Sequence, residues 1–461
     1  MVPATSGQRL RVLWLSTISF TLMFAVWLML GMLSIPISKE LGLSDSQLYR
    51  LALTAILAGS VLRFNFGVWT DKYGGRVMMV LLLLLLAVVP TFLVSQIESY
   101  TQLLVCAALY GIAGNSFSVG IAWNAAWFPK DRQGLALGVF GAGNVGASVT
   151  KLLGPLLIAT IPAVGYFDGV VPGGWRFIPV AYSVLLVVMA AAVWLVAPKQ
   201  DRCPGRGKTF AEMSAPLKHR RVWEYSLHYV VVFGAYVALS GVLPKYYYSN
   251  YGADLARSLS LSEQTVADFP KVKKLQSTEY KDYLKANPVV AEDLKKLTMW
   301  IGWLAGICYV FPASLLRPLG GWLSDQFGAK VVMLGVFVTM IIAGFVLSLP
   351  LGLNVWTFTA ALFVLGAGMG IGKASVYKLI PDSFPDSIGA VGGLVGLLGA
   401  LGGVLIPLGV VPLQSFTDLP QMLFAVLLGL TILSAGWFQT EQILARRPVE
   451  QNVESEQPVA V

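Results

Sequence analysis

Two arginines stand where a charge is expensive to keep. Arg63 opens RFNFGVWTDKYGGR, residues 63–76, and Arg317 opens RPLGGWLSDQFGAK, residues 317–330. Each follows a long apolar run and precedes an aspartate, Asp71 or Asp325, by eight positions. Gly67, Gly74 and Arg76 recur as Gly321, Gly328 and Lys330, so one frame is built twice. If each Asp marks the cytoplasmic end of a membrane helix, the arginine lies about 12 Å deeper at 1.5 Å per residue. In a hydrocarbon layer of about 30 Å, that is near the midplane. A charge there costs at least about 2.5–3.5 kcal/mol on insertion scales and faces a cavity or a partner.

The chemistry this allows is anion binding. A planar guanidinium offers paired N–H donors to a planar or multi-oxygen anion. No carboxylate is expected at matching depth, because Asp45, Glu98, Asp131, Asp168, Asp382 and Asp386 fall in loops. Lys151, Lys373 and Lys378 add positive charge within apolar runs. Such a cavity takes its counter-charge from solution; the alternative is that the arginines bond only backbone carbonyls. A proton channel or cation carrier would need a field of the opposite sign. Arginine stays protonated, whereas lysine and histidine can change protonation state. Lys373, Lys151, Lys378 and His228 are therefore the coupling candidates. Lys378 sits nearer the helix end, where its head can snorkel to water.

The elements that must position these residues are membrane helices. The chain has 461 residues, 56% hydrophobic and only 12% charged; a soluble domain carries about 25% charged residues. Spans of about 20 apolar residues are expected near 11–36, 46–69, 76–96, 101–128, 133–163, 175–197, 222–248, 298–323, 329–350, 354–380, 385–413 and 419–442. The fold class is thus all-α and polytopic, twelve transmembrane helices in two six-helix halves. The halves are 1–197 and 222–445, joined by a basic linker, 198–221. The positive-inside rule places that linker, and both termini, in the cytoplasm. The net charge of +9 belongs largely to such loops, so no nucleic-acid partner is implied. An external loop, 249–297, has mixed charge and room for short helices. The tail 446–461 is expected to be disordered. The first apolar run lacks a small-residue cleavage site and is expected to remain as a helix.

Other chemistries lack their residues. Three cysteines in unrelated contexts and two histidines supply no disulfide framework or metal spacing. GAGNVG lies within a membrane helix and follows no strand, so it is no dinucleotide loop. An enzyme and a cofactor are not expected. The glycine runs instead allow close helix approach. One contains Gly134, Gly138, Gly141, Gly143 and Gly146; the other contains Gly389, Gly392, Gly393, Gly396, Gly399, Gly402 and Gly403. Asn144 is the polar residue of the first run. Flat glycine faces would also let one half slide against the other.

The run G-x-x-x-D-K-x-G-x-R at 67–76, with its degenerate copy at 321–330, resembles the loop motif of the major facilitator superfamily. The resemblance implies that fold, and gating or packing roles for Gly67, Asp71, Gly74, Arg76, Gly321 and Asp325. Residues 114–146 resemble the fourth-to-fifth helix region of nitrate/nitrite porters within that superfamily. The two glycine-rich spans are similar to that family's nitrate motifs. By this resemblance Arg63, Arg317, Asn144, Phe117, Tyr229 and Phe233 bind substrate, although FGAGN is one residue tighter than some members' spacing. Gly141, Gly143, Gly396 and Gly399 then serve packing and sliding. GKASVYKLIPDSFP resembles the proton-linked nitrate importers.

The resemblance implies secondary active nitrate transport in a bacterial cytoplasmic (inner) membrane, feeding assimilation or denitrification. Nitrate/proton symport is the first expectation and nitrate/nitrite antiport the alternative; a nitrate sensor on a transporter fold is a third. Partners would be nitrate, nitrite, protons and the lipid bilayer, with a monomer sufficient.

Overall fold

Within a bilayer, backbone N–H and C=O groups must find partners inside the protein, which selects helices for apolar runs of this length. The computed structural model describes residues 4–162, 165–166, 171–275, 277–350 and 352–454. Among them the regular elements are all helical, apart from an isolated bridge between Tyr166 and Val171. The spans are α1 (Ser6–Ser34), α2 (Ser46–Tyr73), α3 (Gly75–Val94), α4 (Tyr100–Trp127), α5 (133–160), α6 (Gly174–Val196), α7 (Arg220–Ser258), α8 (Pro288–Phe327), α9 (Ala329–Ser348), α10 (Val355–Ser383), α11 (Ile388–Gln414) and α12 (Met422–Leu444).

All but α5 are long and apolar enough to cross a membrane as they stand. The α5 span is segmented: Gln133–Gly141, a 3-10 turn at Ala142–Val145, then Gly146–Thr160. Its glycines let the chain tighten there and lie close against α1, where Gly143 and Gly146 leave no room for a Cβ.

Two regions are more helical than expected. The seventh helix continues to Ser258 and the eighth begins at Pro288, with helices Glu263–Val272 and Ser277–Ala286 between them. Asp293 holds this elaboration, accepting hydrogen bonds from Ser262 N and Oγ and from Thr265 Oγ1. At the other end the last helix runs on to Glu454, where the sequence suggested disorder from 446. Residues 455–461 lie outside the described ones, as does Asp168.

The two arginine frames adopt the same backbone. Leu62 (φ −86°, ψ 0°) and Leu316 (φ −82°, ψ 1°) break α2 and α8 at matched points. Arg63 and Arg317 each begin a fresh helix of 11 residues, Arg63–Tyr73 and Arg317–Phe327. Gly74 (φ 96°) and Gly328 (φ 85°) end them in a backbone region that a side chain would strain.

The halves meet through this repeat. Asp71 accepts from Gly389 N at 2.8 Å, at the start of α11. Asp325 accepts from Gly134 N at 2.9 Å and Leu135 N at 2.7 Å, at the start of α5. Each carboxylate thus caps a helix N-terminus of the opposite half, where free N–H groups and the helix dipole favour negative charge. Gly67 lies against Gly389, and Gly321 against Gly134, closely enough that a Cβ on either would strike backbone.

Arg76 has a different task from its frame-mates. Its N–H donates to Asp201 of the linker at 2.8 Å, and its guanidinium lies 4.2 Å over the Trp194 ring. Asp201 also accepts from the indoles of Trp123 and Trp127, at 3.1 and 2.8 Å. The linker is therefore fastened to the first half.

Candidate functional site

The matched breaks turn both arginines inward, where each is 1% exposed. Arg63 donates from Nε to Gly59 O at 3.0 Å and from Nη1 to Gly396 O at 2.8 Å. Arg317 donates from Nη1 to Gly141 O at 3.0 Å and from Nη2 to the Tyr229 hydroxyl at 3.3 Å. Each arginine therefore bonds a glycine carbonyl on the glycine-rich helix of the other half. Gly396 and Gly141 have no side chain to obstruct this; a Cβ on Gly141 would meet the Arg317 guanidinium.

One ring is shared by the two charges. Both guanidinium carbons lie 5.5 Å from the centroid of Phe117, and Arg63 also lies 5.2 Å from Trp27. Phe117 is nearly parallel to Tyr229 (14°) and Phe233 (2°), with centroids at 6.3 and 6.4 Å. Tyr377 meets Phe117 and Tyr229 edge-on and donates to Gly392 O at 2.9 Å. The result is an aromatic wall that both guanidinium groups approach.

Three buried polar atoms of Arg317 and Asn144 lack a partner. Arg317 Nε and both amide atoms of Asn144 are buried without a hydrogen bond among the described residues. Asn144 lies one turn beyond Gly141, the residue that receives Arg317. Buried polar groups are normally satisfied, so these mark places where a ligand oxygen or water fits. Among the described residues neither arginine is ion-paired; the ion pairs lie elsewhere.

The coupling candidates separate. Lys373 is fully buried, donates to Ala313 O at 2.9 Å and sits 3.1 Å over the Tyr236 ring. It is also 5.7 Å from Phe233, which places it at the edge of the aromatic wall. Lys378 does not reach for water: it is buried against Asp325 at 3.2 Å and Asp382 at 3.8 Å, and donates to Lys130 O. It thus belongs to the contact between halves. His228 is fully buried between Glu224 and Ser434. The Lys151 side chain lies outside the described ones.

Sequence reasoning overlooked Tyr377, Tyr236, Trp27 and Glu224. Tyr377 stands four residues after Lys373, a helical spacing that puts both on one face. Glu224 stands four before His228 in the same way, and it is a carboxylate inside a span, 2% exposed, where none was expected. Trp27 has no such signal, since nothing in α1 distinguishes it from a core aromatic.

A family profile described as Major Facilitator Superfamily matches residues 15–263 and 285–459. The "Probable nitrate/nitrite antiporter NarK1" of Thermus thermophilus is 48% identical over 447 residues, covering 93% of this chain and 91% of that one. The "Nitrite extrusion protein" of Bacillus subtilis is 26% identical over 394 residues, covering 86% and 85%. Among solved structures, the E. coli fucose:proton symporter superposes with a TM-score of 0.62 at 12% identity, covering 94% and 99%; this similarity is one of fold. With the duplicated arginine frame and both glycine helices in place, the chain belongs to the major facilitator superfamily and, within it, to the nitrate/nitrite porters.

Proposed function

We propose that this chain carries nitrate into a bacterial cell across the cytoplasmic membrane, in symport with protons, with both termini in the cytoplasm. One observation carries the reading. Two buried arginines from opposite halves meet at the single ring of Phe117, each 5.5 Å from its centroid, with no carboxylate paired to either among the described residues. Nitrate is planar, singly charged and weakly hydrated. Its face suits the Phe117–Tyr229–Phe233 wall, and its oxygens suit guanidinium N–H groups. Nitrite has similar size and charge and should compete. Tetrahedral oxyanions match neither the wall nor the charge.

Binding and rocking become one event in this arrangement. To grip an anion, Arg63 and Arg317 must loosen their hold on Gly396 O and Gly141 O, the carbonyls of the opposite halves. The anion then replaces bonds that tie the halves together. The Asp71 and Asp325 caps hold one end of the bundle shut while this happens.

Nitrate/nitrite exchange is the second reading, favoured by the same unpaired charges. An empty site must carry two buried cations through the return step, which an anion on every crossing would avoid. The name of the T. thermophilus relative agrees with it. Uptake of nitrate by proteoliposomes separates the two. Under symport, an acid-outside gradient drives uptake without internal anion, and protons enter with it. Uptake that requires nitrite preloading rules symport out.

A further inference from the structure

We propose that the His228–Glu224 pair of α7 is the proton-binding site that answers to anion occupancy, a role that rests on the proton-linked transport proposed above. The pair is sealed in the second half: His228 is 0% and Glu224 2% exposed. His228 Nε2 faces Glu224 Oε1 at 3.2 Å, and Nδ1 meets Ser434 Oγ of α12 at 2.6 Å. Phe337 of α9 and Phe438 of α12 turn their edges to the imidazole. Titratable groups in such apolar packing are costly, and where they occur they commonly mark function.

The proton accounting is simple. With both ring nitrogens protonated, one toward Ser434 Oγ and one toward Glu224 Oε1, the imidazolium and carboxylate together are neutral. A further proton, delivered by hydronium when the pair opens to water, forms an O–H bond on Glu224 Oε2, releases a water molecule and leaves the pair with one positive charge. Nothing else is broken or oxidised. The surroundings allow the step. On α7 itself lie Tyr225, bonded to Ser383, and, toward the helix start, Arg221 and Arg220. From α12 comes Glu441, which is paired with Arg220. From α10 come Asp382 and Lys378, paired with each other, Lys378 being paired with Asp325 as well, with Tyr377 and Lys373 further along at the aromatic wall. From α9 the only charged residue is Lys330, and α11 contains no titratable residue at all.

The pair is linked to the anion site along α7 itself. Tyr229, the next residue, holds Arg317 through its hydroxyl. The chain then widens into a π-helical segment, Val230–Gly234, which carries Phe233 of the aromatic wall. Such segments are found mostly at functional sites. A positive charge on the pair opposes an empty arginine site and favours a filled one. By reciprocity, an anion in the site favours the proton on the pair.

The test is titration of purified full-length protein with nitrate in two buffers of different ionisation enthalpy, which counts protons bound per anion. The wild-type chain should take up close to one proton, so its nitrate affinity should strengthen about tenfold for each unit the pH falls. Glu224→Gln and His228→Gln should bind nitrate with no proton uptake and a flat pH dependence. Ser434→Ala removes only the Nδ1 partner and should move the midpoint of that dependence, which keeps the test sound if either first variant misfolds. Nitrate binding without proton uptake in the wild type overturns the inference. So does unchanged uptake in both pair variants, or its loss only in Lys373→Met. Absence of nitrate binding by the wild type instead overturns the anion reading beneath it.

Discussion

Arg63 and Arg317 are distinguished by the shape of their head groups as much as by charge. Each guanidinium divides its donors between its own surroundings and a carbonyl of the opposite half. A lysine could supply the charge but not the planar fork. Arg63→Lys and Arg317→Lys should each weaken nitrate binding by at least about tenfold, the loss of roughly one charge-assisted hydrogen bond. Calorimetry on variants that still elute as folded protein checks this; wild-type affinity in both would remove the arginines from the site. These residues were legible in the sequence because a charge in an apolar run is rare, and its repetition rarer. Tyr377 and Glu224 were not, since an aromatic in a membrane helix is ordinary and Glu224 lies close to the basic start of its span. Only their i, i+4 partners, Lys373 and His228, betray them.

The glycine helices show what spacing conveys and what it leaves out. Intervals of three and four announce close approach, but not against which helix. The structure sets Gly393 on the backbone of Arg63 and Phe64, and Gly138 on that of Arg317 and Pro318. A methyl group has no space at either place. Gly393→Ala and Gly138→Ala should each cost about 1–3 kcal/mol, as overpacking does, and lower the melting temperature. Gly409→Ala, with nothing within 4 Å of the added carbon, should not. Thermal unfolding of the three variants decides; equal behaviour would mean that the halves are not held at these points. The 3-10 turn in α5 and the π-helical segments in α7 and α8 had no counterpart in the sequence reading. A local change of helical pitch alters hydrogen bonding without altering composition, so hydropathy does not register it.

Across the whole molecule, the two carboxylate caps at one end should act as nearly independent fastenings. Asp71 caps α11 alone, whereas Asp325 caps α5 and also neutralises Lys378. Asp325→Asn should therefore open that end more than Asp71→Asn, because it also takes from buried Lys378 the nearer of its two carboxylate partners, leaving Asp382 at 3.8 Å. The double variant should be close to additive, since the caps share no partner. Pairs of spin labels across that end would measure the populations; equal effects of the two substitutions would contradict the role given to Lys378. The two-half architecture was plain from apolar run lengths and the repeated frame. The fastening of the linker to the first half was not, because Asp201 meets Trp123 and Trp127 only through the fold.

The reciprocal bonding of the arginines bears on how such a chain can be divided. Gly205 N donates to Asp71 O, while Lys208 reaches Asp386 O on the other side, so the natural seam falls at Gly207, whose φ of 86° already marks a turn. Expressed as two polypeptides cut there, neither fragment would own a complete anion site, for each lacks the carbonyl that receives its arginine. Coexpressed, the fragments should complement one another and restore uptake in cells, while either fragment alone should give none. The working unit is then the pair, and the linker's part is to keep the two present in equal number.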